Sequence, residues 1–173
     1  MQKNIPHIFH KWKAWLIVHK KDKEVTDKQV IEEILTKSEI CRIAIHDTEY
    51  PYIVPLNYGY CDNTLYFHSA TIGKKLDLIR INNKVCFEIE YSSQIIQHEE
   101  SCKWTTNYLS LIGFGEIEII DDTFDKKKGL DIIMSHYGKT TNNVYNDTQI
   151  NNLVIFKLPI TGLTAKRSGN GDN

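Results

Sequence analysis

The sequence predicts a mainly β fold, a β-barrel with helices, in one domain. Several segments alternate apolar and polar residues at the period of two that a half-buried strand requires. These segments follow one another with few helices between them, which suits antiparallel sheets closed into a barrel rather than a doubly wound parallel sheet. Two glycines, Gly113 and Gly115, fall inside the longest segment, where a strand must coil sharply or admit a second backbone.

The elements are expected in the following order. Thr26 reads as a helix cap with Gln29 at the capping-box position. Val30, Ile31, Ile34 and Leu35 then recur at helical spacing. Residues 40–46 alternate, with Cys41, Ile43 and Ile45 on one face. Residues 50–58 form a second strand candidate; Pro51 and Pro55 cannot donate to a ladder, so part of it belongs at an edge or a bulge. Asp62 and Asn63 supply a turn into a third strand over residues 64–69. The short connections predict an antiparallel meander of these three. A tight connection at Gly73 leads to a helix opening with Lys74 and Lys75, and Asn82 and Asn83 end it. Residues 84–91 alternate again, residues 92–103 read as a polar connection, and a long strand covers residues 107–119. A helix over residues 123–137 places Leu130, Ile133, Met134 and Tyr137 on one face, and a last strand spans residues 151–164.

The composition is that of an ordinary globular domain, with 41% hydrophobic and 25% charged residues in 173. A net charge of -1 gives no basis for electrostatic capture of nucleic acid or an anionic membrane. The four cysteines, Cys41, Cys61, Cys86 and Cys102, lack CxxC spacing and are expected to be reduced, mostly buried thiols of a cytoplasmic protein. Residues 1–24 read as an N-terminal extension, basic and carrying Trp12 and Trp15. Its apolar run over residues 14–18 is too short to span a bilayer and lacks the pattern of a secretory signal. The domain itself covers residues 25–168, and residues 169–173 form a Gly/Asn-rich tail.

The candidate chemistry centres on Lys74 and Lys75. A helix N-terminus has unpaired N–H groups and the positive end of the dipole, so cations in its first turn are disfavoured unless an anion is present. A phosphate there would resolve the conflict, although a solvated basic turn would read the same way. His68 ends the preceding strand, where it is either a packing histidine or a proton donor working near neutral pH. Dinucleotide-binding, Walker, zinc-protease and serine-hydrolase motifs are absent. His98 and Cys102 lie four apart, but zinc would need two more ligands, so no metal is expected. Cys102 beside Trp104 reads as a packed thiol rather than a reactive one.

Several runs together identify a resemblance. They are YPYIVPLNYGY from Tyr50 to Tyr60, LYFHSA from Leu65 to Ala70, GKK from Gly73 to Lys75, CKW from Cys102 to Trp104, SLIGFG from Ser110 to Gly115, and KRS from Lys166 to Ser168. In this order and spacing the chain closely resembles the pyridoxamine 5′-phosphate oxidase-like flavoproteins, in the branch containing 5-nitroimidazole-resistance proteins. The resemblance covers residues 21–168.

That resemblance implies an FMN-binding split β-barrel that forms a homodimer, with two FMN clefts at the dimer interface. Val54, Pro55, Leu56 and Asn57 would lie along the isoalloxazine and offer backbone groups to its polar edge. His68, Ser69 and Ala70 would line the ring and ribityl chain. Gly73, Lys74 and Lys75 would hold the phosphate. Ser110 matches a position at which related oxidases bring a polar side chain from the partner subunit, and Trp104 would lie near the interface. The chain departs from the vitamin-making oxidases in one respect. They carry an arginine early in the FMN-contacting strand and further basic residues near the chain end, whereas this strand has none and only Lys166 and Arg167 remain near the terminus. A vitamin B6 phosphate substrate is therefore not expected.

The reading that follows is an FMN-dependent oxidoreductase reducing a small electron-poor acceptor such as a nitroaromatic, with His68 as catalytic residue. The alternatives are a non-catalytic flavin-binding or redox-sensing protein, and a haem-binding or haem-degrading split barrel.

Overall fold

The computed structural model describes residues 18–141 and 143–169. Most of the expected N-terminal extension, Trp12 and Trp15 included, and the end of the tail lie outside the described residues. Along the chain the elements are β1 (Glu24–Val25), α1 (Lys28–Lys37), β2 (Cys41–Ile45), β3 (Tyr52–Leu56), β4 (Gly59–Cys61), β5 (Thr64–Ala70), α2 (Lys74–Ile81), β6 (Lys84–Ile96), β7 (Thr105–Glu116), β8 (Glu118–Ile120), α3 (Thr123–His136), α4 (Asp147–Asn151) and β9 (Leu153–Ser168).

The strands join in the order β3-β2-β6-β7-β9-β5-β4, with β1 and β8 also on β9. All pairings are antiparallel. The long β9 belongs to both halves of a split β-barrel. Its residues from Leu153 to Pro159 pair with β5, and those from Ile160 to Ser168 pair with β7. Thr161 is the extra residue where the register shifts, and such a bulge bends a strand. Here it turns β9 from one half into the other.

The expected three-strand meander is replaced by two hairpins. β2 pairs with β3, and β4 pairs with β5 through Asp62 and Asn63, whose φ values of 48° and 56° make the left-handed turn that hairpins favour. Between the hairpins, at Asn57 and Tyr58, the chain crosses from one half to the other. Tyr58 is fully buried and donates its hydroxyl to the Leu35 carbonyl at 3.0 Å, so these residues anchor a crossover instead of a hairpin turn. β3 is an edge strand, as Pro55 requires, and Pro51 lies just before it.

Smaller departures have local causes. The α1 cap is Asp27, one residue later than expected, accepting from the Gln29 N–H at 2.8 Å. β6 continues past residue 91 to Ile96 because a bulge at Tyr91 resets its alternation while pairing with β7 persists. That extension is largely exposed, so its sequence reads as a loop. β9 likewise runs on to Ser168, and the short α4 was not expected.

Gly113 and Gly115 mark close approaches, as expected. A Cβ at Gly113 would stand 2.3 Å from the Phe87 ring, and one at Gly115 would stand 2.3 Å from the Pro159 carbonyl oxygen. The main core holds Ile34, Ile43, Phe67, Phe87, Leu111 and Phe156, and a second cluster of Leu130, Ile133, Ile150 and Ile155 lies under α3 and α4. Phe67 stacks on Phe156 with ring centroids 5.2 Å apart. Each such side chain contributes about 1.5–3 kcal/mol when fully buried. Among the described residues no helix is long and apolar enough to cross a membrane.

Candidate functional site

Among the described residues, β3 and the end of β5 are two of the strand edges left open. β3 pairs only with β2, and beyond Tyr66 the stretch of β5 through His68, Ser69 and Ala70 has β9 as its only partner among the described residues. Three residues separate β5 from α2. Gly73 precedes it with φ 142°, a conformation that strains any side chain, and a Cβ there would meet nothing within 4 Å. Among the described residues, the side chains of Asp27, Asp122 and Asn146 cap the other three α-helices, whereas α2 has no side-chain cap. The Lys74 and Lys75 N–H groups have no protein acceptor among the described residues.

Adjacent helical residues point about 100° apart around the axis, and the two lysines diverge. The Lys74 ammonium is 2.7 Å from the Asp47 carboxylate and 5.1 Å from the centre of the Tyr52 ring. It borders an open cleft of about 370 Å³ lined by Asp47, Thr48, Glu49, Tyr50, Pro51 and Tyr52. Lys74 and the Thr48 N–H hold the Asp47 carboxyl below the usual carboxylate range, and Asp47 raises the Lys74 ammonium above its usual value. For Lys74, therefore, the electrostatic conflict read from the sequence is already answered by a carboxylate of the β2–β3 hairpin.

Lys75 behaves differently. It is half-buried, with its ammonium 5.9 Å from the centre of the Phe156 ring, and it has no carboxylate partner among the described residues. Burial pushes its pKa down. His68 lies on the opposite face of β5 from Leu65 and Phe67, both fully buried in the core, and is itself accessible, as its place in the alternation predicts. Desolvation first, and then Lys75, hold the imidazole below the ordinary histidine value. Two basic groups whose charged forms lack compensation thus adjoin an uncapped helix start.

The other expected site residues are distributed as follows. Val54 and Leu56 turn their side chains to the core, so only their backbone could serve a ligand at the β3 edge, while Pro55 is exposed. The Asn57 side-chain amide is already engaged, donating to the Tyr137 hydroxyl at 3.1 Å and to the Glu39 carbonyl at 3.4 Å. Ser69 is half-buried and Ala70 exposed on the open part of β5. Ser110 lies opposite Glu90 and Lys166 and borders a second cleft of about 240 Å³ with Glu88, Glu90, Ser93, Thr106 and Tyr108. Trp104 is half exposed and donates its indole N–H to the His98 carbonyl at 2.7 Å. Among the described residues no hydrogen bond or ion pair joins Ser110 or Trp104 to Lys74, Lys75 or His68. Cys102 is exposed, against the expectation of a packed thiol, because the turn at Ser101–Lys103 buries none of its residues. Of the four cysteines only Cys41 is buried. Sequence reasoning missed Asp47 and the hydroxyl role of Tyr137. Asp47 carries no motif, and Tyr137 sits at a helix-periodic position that conceals its polar contacts.

Comparison with known proteins gives a consistent relationship. The family model described as pyridoxamine 5′-phosphate oxidase matches residues 27–167. A candidate 5-nitroimidazole antibiotic resistance protein of Bacteroides thetaiotaomicron VPI-5482 superposes with TM-score 0.75 and 34% sequence identity, covering 83% of this chain and 86% of that one. The FAD and haem binding protein of Mycobacterium smegmatis gives TM-score 0.78 at 17% identity, covering 87% of this chain and 76% of that one. A FAD-binding protein of Mesorhizobium loti gives TM-score 0.61 at 21% identity, covering 85% and 98%. At such identities these two share the fold. An uncharacterized protein of Rhizobium meliloti (strain 1021) is 33% identical over 70 residues, which are 40% of this chain and 46% of that protein, so the match spans about half of that relative's length.

Proposed function

Because the chain belongs to the pyridoxamine 5′-phosphate oxidase-like family, in the branch that includes 5-nitroimidazole-resistance proteins, we propose that it binds FMN and reduces a small electron-poor acceptor such as a nitroaromatic. The observation that carries this reading is the α2 start, where among the described residues Lys75 has no carboxylate partner and the Lys74 and Lys75 N–H groups no protein acceptor, beside His68 and the open edges of β3 and β5. These residues fit a phosphate. The Lys74 and Lys75 N–H groups and the Lys75 ammonium would bind it through charge-assisted hydrogen bonds, and Lys74 would add to them on leaving Asp47. The β3 edge, at Val54, Pro55, Leu56 and Asn57, would border the ring system with backbone groups. Ser69 and Ala70 would border the chain that links ring and phosphate.

Bound FMN supplies hydride or single-electron transfer. The chain's own residues bind, orient and handle protons. His68 is suited to the proton work. Its lowered pKa leaves it neutral at pH 7, able to donate a hydrogen bond to an acceptor and to exchange a proton at an imidazole nitrogen.

The proposed working unit is a homodimer. On the outward face of the sheet Ile53, Ala44, Cys86 and Phe114 form one cross-strand row, and Ile112 stands in the next. Ile53 is 61% exposed and Ile112 45%, and a second copy would cover them. The same packing would carry Ser110 and Trp104 of one protomer toward the flavin of the other. The test is anaerobic. Flavin-loaded protein is reduced, mixed with a nitroaromatic, and followed for reoxidation. Fast reoxidation beyond that of free FMN supports the enzyme, and equal rates leave a flavin binder.

A further inference from the structure

A hydroxyl distant in sequence ties together the segments that end the proposed flavin strand. Tyr137 closes α3 as its C-terminal cap residue. A phenol has one hydrogen to donate and two lone pairs to accept with, and all three are used. It donates to the Glu39 carbonyl at 2.5 Å, and it accepts from the Asn57 side-chain amide and from the Tyr58 backbone N–H, each at 3.1 Å. Three segments therefore meet on one oxygen: the α3 terminus, the turn after α1, and the crossover that follows β3.

Further contacts brace this junction. His136 donates from Nε2 to the Ser38 carbonyl at 2.7 Å, and its ring lies 4.5 Å from that of Tyr58. Tyr58 in turn donates to the Leu35 carbonyl at 3.0 Å. Just beyond, a Cβ on Gly59 would be 2.6 Å from the Ile133 nitrogen, so the crossover lies directly on the α3 backbone. Among the described residues β3 itself is an edge strand held laterally only by β2. Where its C-terminal end sits is decided at this junction.

We propose that Tyr137 is a positioning residue for the flavin strand, its phenol setting where Asn57 stands and hence how β3 presents its backbone to the ring. This rests on the flavin reading given above and adds to it a residue that does not touch the cofactor.

Tyr137→Phe deletes only the hydroxyl. FMN affinity should fall about tenfold, equivalent to about 1.4 kcal/mol, and the visible circular dichroism of the bound flavin should change. Tyr60→Phe is the control. It removes another tyrosine hydroxyl hydrogen bond, to Glu32 Oε2 at 3.0 Å, that does not involve the Tyr137 oxygen, and should leave both readouts unchanged. A Tyr137→Phe protein with wild-type FMN affinity and dichroism overturns the proposal, as does an equal loss in Tyr60→Phe. Should Tyr137→Phe fail to fold, a fluorine label on the Tyr137 ring of otherwise wild-type protein gives the answer. Its resonance should shift on FMN addition, and an unmoved resonance at saturation overturns the proposal. Lys75→Ala, measured alongside, separates the two levels. If it weakens FMN while Tyr137→Phe does not, only the positioning role falls. If FMN binds to neither variant nor wild type, the flavin reading itself falls.

Discussion

The Lys74 ammonium stands 2.7 Å from the Asp47 carboxylate, so the first residue of α2 carries its own counter-ion into any encounter with a phosphate. Its neighbour Lys75 points toward Phe156 and carries none among the described residues. The lysine pair that looks uniform in sequence is thus two unlike sites. Lys75 is half-buried and has no carboxylate partner among the described residues, and Lys74 is accessible and shared with an acid.

That inequality predicts different effects on affinity. Lys75→Ala should weaken FMN binding tenfold or more, about 1.4 kcal/mol, and leave riboflavin, which lacks the phosphate, nearly unaffected. Lys74→Ala should cost less. Asp47→Asn should strengthen FMN binding several-fold by releasing Lys74, with no gain for riboflavin. Titration by flavin fluorescence quenching checks all three, and weaker FMN binding in Asp47→Asn would mean that Asp47 orients Lys74 instead of competing for it.

His68 should matter for turnover more than for loading. His68→Asn should retain fold and FMN content and slow acceptor reduction by about 10²–10⁴ if the imidazole transfers a proton. A flavin-loaded variant turning over like wild type from about pH 5 to 8, the range of histidine titration, would remove it from the chemistry.

The same histidine gives the protein a pH signature without ligand. Its folded-state pKa lies below the ordinary value of about 6.5 because of desolvation and Lys75. The unfolded chain therefore binds more protons over that interval, and stability declines as pH falls from the ordinary value through the folded one. Thermal melts of ligand-free protein between about pH 7.5 and 5 should show the decline, and His68→Asn should flatten it. Identical slopes would show that other groups dominate.

Gly113 tests the packing of the barrel. Adding a methyl group where the Phe87 ring lies 2.3 Å away should cost about 1–3 kcal/mol, as overpacking does. Gly113→Ala combined with Phe87→Leu should recover part of this in urea melts. Additive losses would show that the two positions do not share the space.

Much of the fold was legible because it rests on local patterns. The alternation of Cys41, Ile43 and Ile45, the Asp62–Asn63 turn, and the glycines of β7 all act as read. The crossover at Asn57 and Tyr58 was not legible, since it depends on where Tyr58 is buried, which is a tertiary outcome. The far half of β6 was hidden because a ribbon exposed on both faces loses its alternation. At the site, His68 and the α2 start carried a local signal. Asp47 and Tyr137 did not, because their partners lie far along the chain.

The central claim is that the α2 start binds the phosphate of a flavin. It is tested most directly by the absorption spectrum of the purified protein with mass spectrometry of the released chromophore, repeated on a Lys74→Ala/Lys75→Ala double variant that folds. The account predicts flavin bands, a stoichiometric release of FMN from wild type, and little or none from the double variant. A wild-type protein that shows no flavin bands even after incubation with FMN, or a double variant that retains FMN in full, would contradict it.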